Sequence, residues 1–413
     1  MLRVLDGRIT GRPLTDIRLE DVVMLGVVFG SKLGGKALVV SGRDSTPVSR
    51  MLKRALTAGL MSVGCDVMDF HEAVNGEISF SMKRFGATGG FNIHVSPTRP
   101  GFITIRLYKA PGYELIGKNA VDVVSAISSP PGSTTTSIGW VNYAEYMHEL
   151  YASALISFIK SDDVSAARLN IVASYSHGAS GDILRKMMAS LGLEHTLMSS
   201  GRVESGAYPM TSDMGKVALS TRAIGADIGV VFNIDASSLA VYLREIGFLL
   251  PEEILLAVLT RYPAGSSIVL EKNTSTTVAR YLAEKGYHVK IVEDEEKFIE
   301  TVRKERPVMA LNSRGEFITP LFSLGYDAIV IFAQLLEALS LQRDEVYREV
   351  AAVRSLITSS QKNPRDVEAL CSGENCIRTL WGFRALGKGV LETYMYNPES
   401  GSYVLFTEKT ELS

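Results

Sequence analysis

VVSGRDSTPVSRMLKRALTAGLMSVGCDVMDF, residues 39–70, contains the pattern that decides the fold. The apolar run at its start is typical of a strand that is buried on both faces. Leu52, Leu56 and Leu60 then recur one turn apart, as on the buried side of a helix. We expect this helix to end at Gly64, before the strand-like run CDVMDF. A strand, a helix and a second strand in this order predict a βαβ unit of a helix-covered sheet.

The same alternation continues along the rest of the chain. Helical stretches and short apolar runs recur at 15–40, at 144–192 and at 251–292. A long helix is predicted at 327–341, and strand-like runs around NPESG within 374–409 indicate an antiparallel sheet. The sequence therefore predicts an α/β protein with three similar α/β domains, whose mixed sheets are covered by helices, and a smaller C-terminal α+β domain. Polar and Ser/Pro/Gly-rich stretches place the domains at 1–140, 141–247, 248–358 and 359–413.

The composition excludes a disordered chain and argues against a nucleic-acid partner. Of 413 residues 46% are hydrophobic, and 43 Lys and Arg oppose 45 Asp and Glu, for a formal net charge of -2. A polyanion is normally met by a clear excess of Lys and Arg. No run approaches the ~18 apolar residues of a membrane helix, and charges stand where a signal peptide needs apolar residues. We therefore expect a cytoplasmic protein without a membrane partner.

The three cysteines carry little information about function. Cys65, Cys371 and Cys376 are too few for a disulfide framework. The last two could approach each other across a turn, but no further Cys or His stands near them to complete a zinc site. Their role stays open at this point.

Four short segments, one in each predicted domain, resemble the signatures of the α-D-phosphohexomutases. This family includes phosphomannomutase, phosphoglucomutase and phosphoglucosamine mutase. VLDGRITGRPLT, residues 4–15, and the 39–70 stretch are similar to the family's N-terminal domain. The resemblance extends over nearly the whole chain. It implies four domains around a central cleft, which carry in turn a phosphoserine loop, a metal loop, a sugar-recognition loop and a phosphate-binding loop.

The phosphoserine loop of the family, GGxxITASHNP, corresponds to GGFNIHVSPTRP at 89–100. The resemblance places Ser96 at the position of the nucleophile, which is phosphorylated and exchanges its phosphoryl group with a sugar phosphate through a bisphosphorylated intermediate. A serine hydroxyl needs help from a metal or a base for this chemistry. His94 lies two residues earlier and faces the same side of an alternating strand. We hypothesise that His94 assists Ser96.

This loop also departs from the family pattern. Pro97, Thr98 and Arg99 replace the His-Asn-Pro that follows the serine, and Ile103 replaces a lysine. Cations further along, such as Arg106, could supply charge from a distance. The alternative is an unmodified serine in a surface loop.

The metal loop of the family, ADxGxAxDGDADR, corresponds to ADIGVVFNIDASS at 226–238. The three magnesium-ligand positions read Asn233, Asp235 and Ser237, where the family has three aspartates. Mg²⁺ prefers hard anionic oxygens and gives up water reluctantly, so this set of donors is weaker. The resemblance implies Mg²⁺ as a cofactor, with Asp235 as the ligand that should matter most.

The sugar-recognition signature GGExSGH corresponds to NSRGEFITP at 312–320, where Gly315 and Glu316 remain. In the family this glutamate accepts hydrogen bonds from two sugar hydroxyls. The resemblance therefore implies that Glu316 binds substrate. The alternative is a solvated turn.

The phosphate-binding signature RPSGTEPxxR is matched best by YNPESGSYVLFTE at 396–408. Ser400 and Gly401 survive there, and such a turn can form a backbone nest for an anion. Neither arginine is present, so the bidentate clamp on a phosphate is missing. Cations upstream are candidates to compensate; they are Arg378, Arg384 and Lys388. A plain hairpin turn is the alternative.

Two further segments are predicted to be structural. EDEEKFIETVRKER at 293–306 should form a helix with a mostly solvated charged face. His177, within SHGASG, should be a turn residue rather than a catalytic base.

Two functions stay open from the sequence. The first is an enzyme that moves a phosphoryl group reversibly between the 1- and 6-positions of mannose, glucose or glucosamine phosphate through phospho-Ser96. The second is a catalytically impaired homologue that binds a hexose phosphate or acts as a regulatory partner of an active mutase. The second gains weight because several groups that act together in a transition state are altered at once. A homo-oligomer is compatible with either function.

Overall fold

The computed structural model describes residues 2–130, 137–175, 179–199, 207–364, 367, 371, 376–387 and 389–409. Within these ranges four sheets follow one another along the chain, and helices pack on the first three. This confirms the predicted α/β class, with three helix-covered sheets and a smaller antiparallel last unit. No helix in the described ranges is long and apolar enough to cross a membrane.

The first unit has the largest sheet, in which the strands follow the spatial order β1-β2-β6-β5-β3-β4-β8 and β7 pairs with β6. Strand β3 is parallel to both β4 and β5, as the βαβ pattern predicts. The strands are β1 Val4–Leu5, β2 Arg8–Gly11, β3 Leu38–Arg43, β4 Asp66–Glu72, β5 Gly89–Val95, β6 Ile103–Lys109, β7 Tyr113–Glu114 and β8 Val141–Tyr143. The helices are α1 Leu19–Lys32, α2 Pro47–Ser62, α3 Asn75–Phe85 and α4 Lys118–Ser125, followed by a short 3-10 turn at Ala126–Ser128. Because β8 pairs with β4, this sheet extends beyond residue 140.

Helices α1 and α2 cross with their backbones in contact. A Cβ atom on Gly26 would lie 2.3 Å from the Leu56 carbonyl oxygen, and one on Gly59 would lie 2.0 Å from the Val23 carbonyl oxygen. The side chain of Thr46 caps the start of α2 by accepting a hydrogen bond from a backbone N–H. The buried face of α2 contains the leucines that predicted the helix.

The second and third units are smaller mixed sheets, ordered β10-β9-β11-β12-β13 and β15-β14-β16-β17. The second contains α5 Met147–Phe158, α6 Ser161–Ala167, β9 Asn170–Tyr175, α7 Ser180–Ser190, β10 Glu194–Ser199, α8 Thr211–Ala223, β11 Ile228–Phe232, β12 Leu239–Leu243 and β13 Gly247–Phe248. The third contains α9 Pro251–Leu259, β14 Ser267–Glu271, α10 Thr276–Glu284, β15 His288–Val292, α11 Glu295–Glu305, β16 Met309–Leu311, β17 Phe317–Ile318 and α12 Ala328–Leu356. Helix α12 continues past the predicted end at 341, although Gln342 leaves helical geometry.

The last unit is an antiparallel sheet with the order β18-β22-β21-β20-β19. Its strands are β18 Thr358–Lys362, β19 Cys376–Thr379, β20 Gly382–Gly387, β21 Val390–Asn397 and β22 Ser402–Lys409. The polar stretch in which a domain boundary was predicted forms strand β18. Its residues are exposed, and the strand forms because its backbone pairs with β22. His177 and Lys388 lie outside the described residues.

Candidate active site

A cleft of about 520 Å³ opens where the four units meet. Its wall takes Ser96 from the first unit, Tyr208 from the second, Glu316 from the third and Arg378 from the fourth. Backbone hydrogen bonds hold the units together at this point: the Tyr208 N–H donates to the Pro97 carbonyl oxygen at 2.7 Å. The cleft thus brings together residues that are far apart in the sequence.

Ser96 follows directly after β5, at the end of a central strand of the first sheet. Its backbone N–H donates to the Phe102 carbonyl oxygen at 2.8 Å, which closes the loop. The hydroxyl lies 3.4 Å from Thr98 Oγ1 and accepts a hydrogen bond from the Arg99 N–H at 3.3 Å. Ser96 borders the cleft and is 6% exposed. The Ser96 hydroxyl therefore lies at the wall of the cleft, in a loop that two hydrogen bonds from backbone N–H groups hold in place.

His94 does not form a hydrogen bond with Ser96 in this structure. Its Nδ1 lies 2.8 Å from the Val95 carbonyl oxygen, which only accepts, so this nitrogen bears a proton. Its Nε2 lies 3.1 Å from Arg106 Nε and 3.0 Å from an oxygen of Asp235. A protonated ring suits the carboxylate and a neutral ring suits the guanidinium. The histidine is thus tied to a buried ion cluster, and its assistance to Ser96 stays a prediction.

Asp235 lies behind the cleft in the turn between β11 and β12, and is 1% exposed. Its Oδ2 accepts from Asn75 Nδ2 at 2.8 Å and from Arg106 Nη2 at 2.9 Å, in addition to the contact with His94. Burial alone would raise the pKa of Asp235, but its contacts with His94, Arg106 and Ser237 hold it well below its usual range. Asp235 is therefore the ionised centre of the cluster.

The remaining oxygen of Asp235 is also occupied. It accepts from Asn233 Nδ2 at 2.8 Å, from Ser237 Oγ at 2.8 Å and from the Ser237 N–H at 3.1 Å. The Asn233 amide oxygen, the only atom of that side chain able to bind a cation, accepts instead from the Ser238 N–H at 3.0 Å. The three predicted metal-ligand residues are thus brought together, but they bind one another.

This donor set does not fit a magnesium ion. It offers a single carboxylate, whereas Mg²⁺ favours several hard oxygen ligands in octahedral geometry. A divalent cation about 4 Å from the Arg106 guanidinium would be repelled by roughly 8 kcal/mol at an effective dielectric constant of about 20. In the described parts of the chain, no three residues among His, Cys, Asp and Glu are arranged to hold a metal ion.

A ladder of buried ion pairs continues from this cluster along the cleft. Arg106 Nη1 donates to Glu114 at 2.9 Å, and Arg8 Nε donates to the other oxygen of Glu114 at 2.8 Å. Arg8 Nη2 in turn donates to Glu295 at 2.7 Å, and Arg314 also pairs with Glu295. Burial opposes ionisation of Glu295, but the two guanidinium groups outweigh it and lower its pKa.

Glu316, the predicted sugar-binding residue, lies in the short turn between β16 and β17 and borders the cleft. Its carboxylate accepts from Asn312 Nδ2 at 2.8 Å and from Arg314 Nε at 3.3 Å, and Arg106 Nη2 lies 3.5 Å away. Burial would raise the pKa of Glu316, but the neighbouring arginines lower it. Gly315 has φ +79°, and its position before Glu316 fixes the turn.

The predicted phosphate-binding residues do not join this site. Ser400 and Gly401 lie in the exposed turn between β21 and β22, and neither lines the cleft. The last unit contributes Arg378 instead, beside a disulfide that joins the two late cysteines. Arg384 is not available either, because it is 1% exposed and both oxygens of Glu252 accept from it at 2.6 and 2.7 Å.

Three contributors to the site escape the sequence argument. Glu295 was expected on a solvated helix face, yet it pairs with Arg8 at the start of α11. Arg8 stands within residues 4–15, which carry part of the family resemblance, but no role was predicted for its side chain. Tyr208, which accepts from Asn233 at 2.8 Å, stands after a glycine-containing segment without any motif. Arg8 begins strand β2 and is buried, although charged residues are seldom buried without a partner.

Part of this chain matches a known protein family, and curated proteins of similar description are related to most of it. Residues 7–130 match the family described as "Phosphoglucomutase/phosphomannomutase, alpha/beta/alpha domain I". A "Probable phosphoglucosamine mutase" of Thermococcus kodakarensis is 24% identical over 330 residues, which cover 77% of this chain and 72% of that protein. A "Phosphoglucomutase/phosphomannomutase" of the same organism is 26% identical over 341 residues, which cover 78% of this chain and 74% of that protein.

Solved structures share the fold over the whole chain. A phosphoglucomutase/phosphomannomutase family protein from Burkholderia thailandensis superposes with a TM-score of 0.73 at 19% identity, covering 100% of this chain and 94% of that chain. The phosphoglucomutase parafusin from Paramecium superposes with a TM-score of 0.68 at 10% identity, covering 98% and 91% respectively. The overall fold of this chain is therefore shared with these proteins.

Proposed function

We propose, on the premise that this chain belongs to the α-D-phosphohexomutase superfamily, that it transfers a phosphoryl group between the 1- and 6-positions of a hexose phosphate through phospho-Ser96. One observation carries the proposal: Ser96 borders a cleft that is also lined by five arginines. These are Arg8, Arg99, Arg106, Arg314 and Arg378. The acidic residues that line the same cleft are Asp6 and Glu316. Guanidinium groups on the wall of a polar cleft can bind the phosphate of an anionic sugar.

The chemistry is an exchange between two oxygen atoms. The bond between phosphorus and Ser96 Oγ breaks as a bond forms to a sugar hydroxyl oxygen, and the hydroxyl proton is released to restore the serine hydroxyl. The reverse transfer from the other position of the bisphosphate regenerates phospho-Ser96 and the isomeric monophosphate. Fixed guanidinium groups stabilise the charge on the transferring oxygens without reorganisation. Glu316 supplies acceptor oxygens for sugar hydroxyls.

Arg378 is proposed to hold the phosphate that does not react. It lines the cleft from the last unit, and it has no carboxylate partner within the described residues. Arg99, by contrast, pairs with Asp6 at 2.9 Å. Because a guanidinium can bind phosphate in a bidentate manner, Arg378 replaces in function the arginine that the family's last loop carries. Arg378→Ala should raise KM by roughly 10- to 100-fold and change kcat less.

Phosphorylation of Ser96 is tested by intact-mass measurement of the purified protein. We expect the mass of one phosphoryl group after incubation with glucose 1,6-bisphosphate, and its loss in Ser96→Ala. Ser400→Ala is the matched control, because this serine lies outside the cleft. A phosphoryl group that persists in Ser96→Ala would contradict the assignment of the nucleophile.

Turnover is tested in a coupled assay with the 1-phosphates of mannose, glucose and glucosamine. At least one should be converted to its 6-phosphate at a rate that falls to background in Ser96→Ala. If hexose phosphates bind but neither phosphorylation nor turnover occurs, the enzyme proposal fails. The chain would then be a sugar-phosphate-binding or regulatory homologue.

A further inference from the structure

We infer that the Arg106 guanidinium occupies the place of a divalent metal ion at the Asp235 loop, so that this protein works without a bound metal there. The inference rests on the proposed function for the role of the cleft. Its physical basis is the set of contacts around Asp235, which holds whether or not the protein turns over a sugar phosphate.

The first step of the argument is that Asp235 has no free oxygen. Five hydrogen-bond donors lie within 3.1 Å of its two oxygens, and His94 Nε2 lies 3.0 Å from Oδ2. A metal ion would have to displace at least one of these donors. The most strongly charged of them is Arg106, which is 3% exposed and belongs to a central part of the first sheet.

The second step is that Arg106 is held from its other side. Its Nη1 donates to Glu114 at 2.9 Å and its Nε donates to His94 at 3.1 Å. Glu114 is itself shared with Arg8. A shift of Arg106 away from Asp235 would therefore break several buried pairs at once, and buried charges without partners are strongly unfavourable.

The third step concerns the charge of the loop itself. Asn233 and Ser237 stand where the resemblance places two further carboxylates, so the loop has lost two negative charges. A single guanidinium satisfies one remaining carboxylate, whereas a divalent ion beside it would be left with excess positive charge. The substitutions in the loop and the buried arginine are thus mutually consistent.

The fourth step is that Arg106 also borders the cleft. Three of its five N–H bonds donate to His94, Glu114 and Asp235 among the described residues. The guanidinium can therefore present fixed positive charge to an anion in the cleft while the loop behind it stays closed. Arg106 acts here as a built-in cation.

Uptake of Mn²⁺ tests the inference, because Mn²⁺ accepts the same oxygen ligands as Mg²⁺ and its free form is measured by electron paramagnetic resonance. Chelator-stripped wild-type protein is titrated with Mn²⁺ beside Asp235→Asn and a matched control, Asp227→Asn. Asp227 precedes β11 and pairs with Arg343 at 3.0 Å, away from Asp235. We expect either no uptake at millimolar concentration or uptake that is equal in all three proteins. One Mn²⁺ per chain that is lost in Asp235→Asn and kept in Asp227→Asn would overturn the inference. Ser237→Ala replaces Asp235→Asn if the latter does not fold.

The chelator dependence of the mutase rate is the second measurement. The rate in excess EDTA should stay within about twofold of the rate in Mg²⁺, since no metal contribution to transfer is lost. A loss of about tenfold or more that Mg²⁺ restores would refute the inference. A protein without any mutase turnover would refute the proposed function, and the Mn²⁺ titration would still decide the identity of the cation.

Discussion

Replacement of Asp327 by Asn should remove a pH dependence of stability that this buried carboxyl creates. Asp327 is 1% exposed and caps α12 by accepting from the Ile329 and Val330 N–H groups, each at 3.1 Å. The Tyr151 hydroxyl donates to it at 2.5 Å. Burial outweighs these donors and raises the pKa of Asp327 from 3.8 to about 6.

The sign follows from the proton affinity of the two states. The folded protein holds the Asp327 proton more tightly than the unfolded chain, so this stabilisation is complete below about pH 3.8 and is lost as the pH rises through about 6. The whole shift corresponds to about 3 kcal/mol, of which about 2 kcal/mol falls between pH 4.5 and 7.5. An asparagine mimics the protonated form and still caps the helix.

Urea unfolding of wild type and Asp327→Asn at these two pH values measures the effect. The variant should gain about 2 kcal/mol in free energy of unfolding relative to wild type on going from the lower to the higher pH. Asp294→Asn is the matched control, because Asp294 caps α11 by accepting from the Lys297 N–H in an exposed position. The reasoning would be refuted if the difference in free energy of unfolding between wild type and Asp327→Asn changed by less than about 0.5 kcal/mol between the two pH values.

Three further substitutions test buried contacts in the fold and the turn before Glu316. Arg384→Met leaves Glu252 buried without its charged partner and should lower the free energy of unfolding in urea by about 3–5 kcal/mol. Arg222→Met breaks an exposed pair with Glu399 and should lower it by less than about 1 kcal/mol. Equal losses in the two variants would contradict the argument from the buried pair. Gly315→Ala places a Cβ 2.8 Å from a proline carbon at φ +79° and should lower the free energy of unfolding by about 1–3 kcal/mol. Calorimetry should also show weaker binding of a hexose phosphate. Unchanged binding would show that this turn does not contribute to the site. Gly26→Ala places a Cβ 2.3 Å from a carbonyl oxygen of α2 and should lower the free energy of unfolding by about 1–3 kcal/mol. An unchanged midpoint of thermal unfolding would contradict this expectation.

Local patterns predicted the parts of this protein that depend on neighbouring residues in the chain. The leucines of α2 repeat at the spacing of a buried helix face, and all three are fully buried. The resemblance places Ser96 in the GGFNIHVSPTRP loop, and in the structure Ser96 follows directly after β5. These features follow from hydrogen bonds and burial within one βαβ unit, so a short stretch of sequence contains what decides them.

The phosphate turn shows where motif matching stopped being informative. Ser400 and Gly401 preserve two letters of a signature, but the turn they form is exposed and lies outside the cleft. Arg378, which has no motif around it, lines the cleft instead. A two-residue match specifies a turn conformation and cannot specify which side of a domain faces the other three units.

The sequence by itself determined the α/β class, the order of the units and the serine loop. Only the tertiary structure decided that Arg106 of the first unit would lie against Asp235 of the second and near Glu316 of the third, at 2.9 and 3.5 Å. Their partnership depends on how separate sheets pack, and each charge is stable in the interior only because the others are there. The physical reason is that charge pairing acts through space, while sequence patterns record periodicity along the chain.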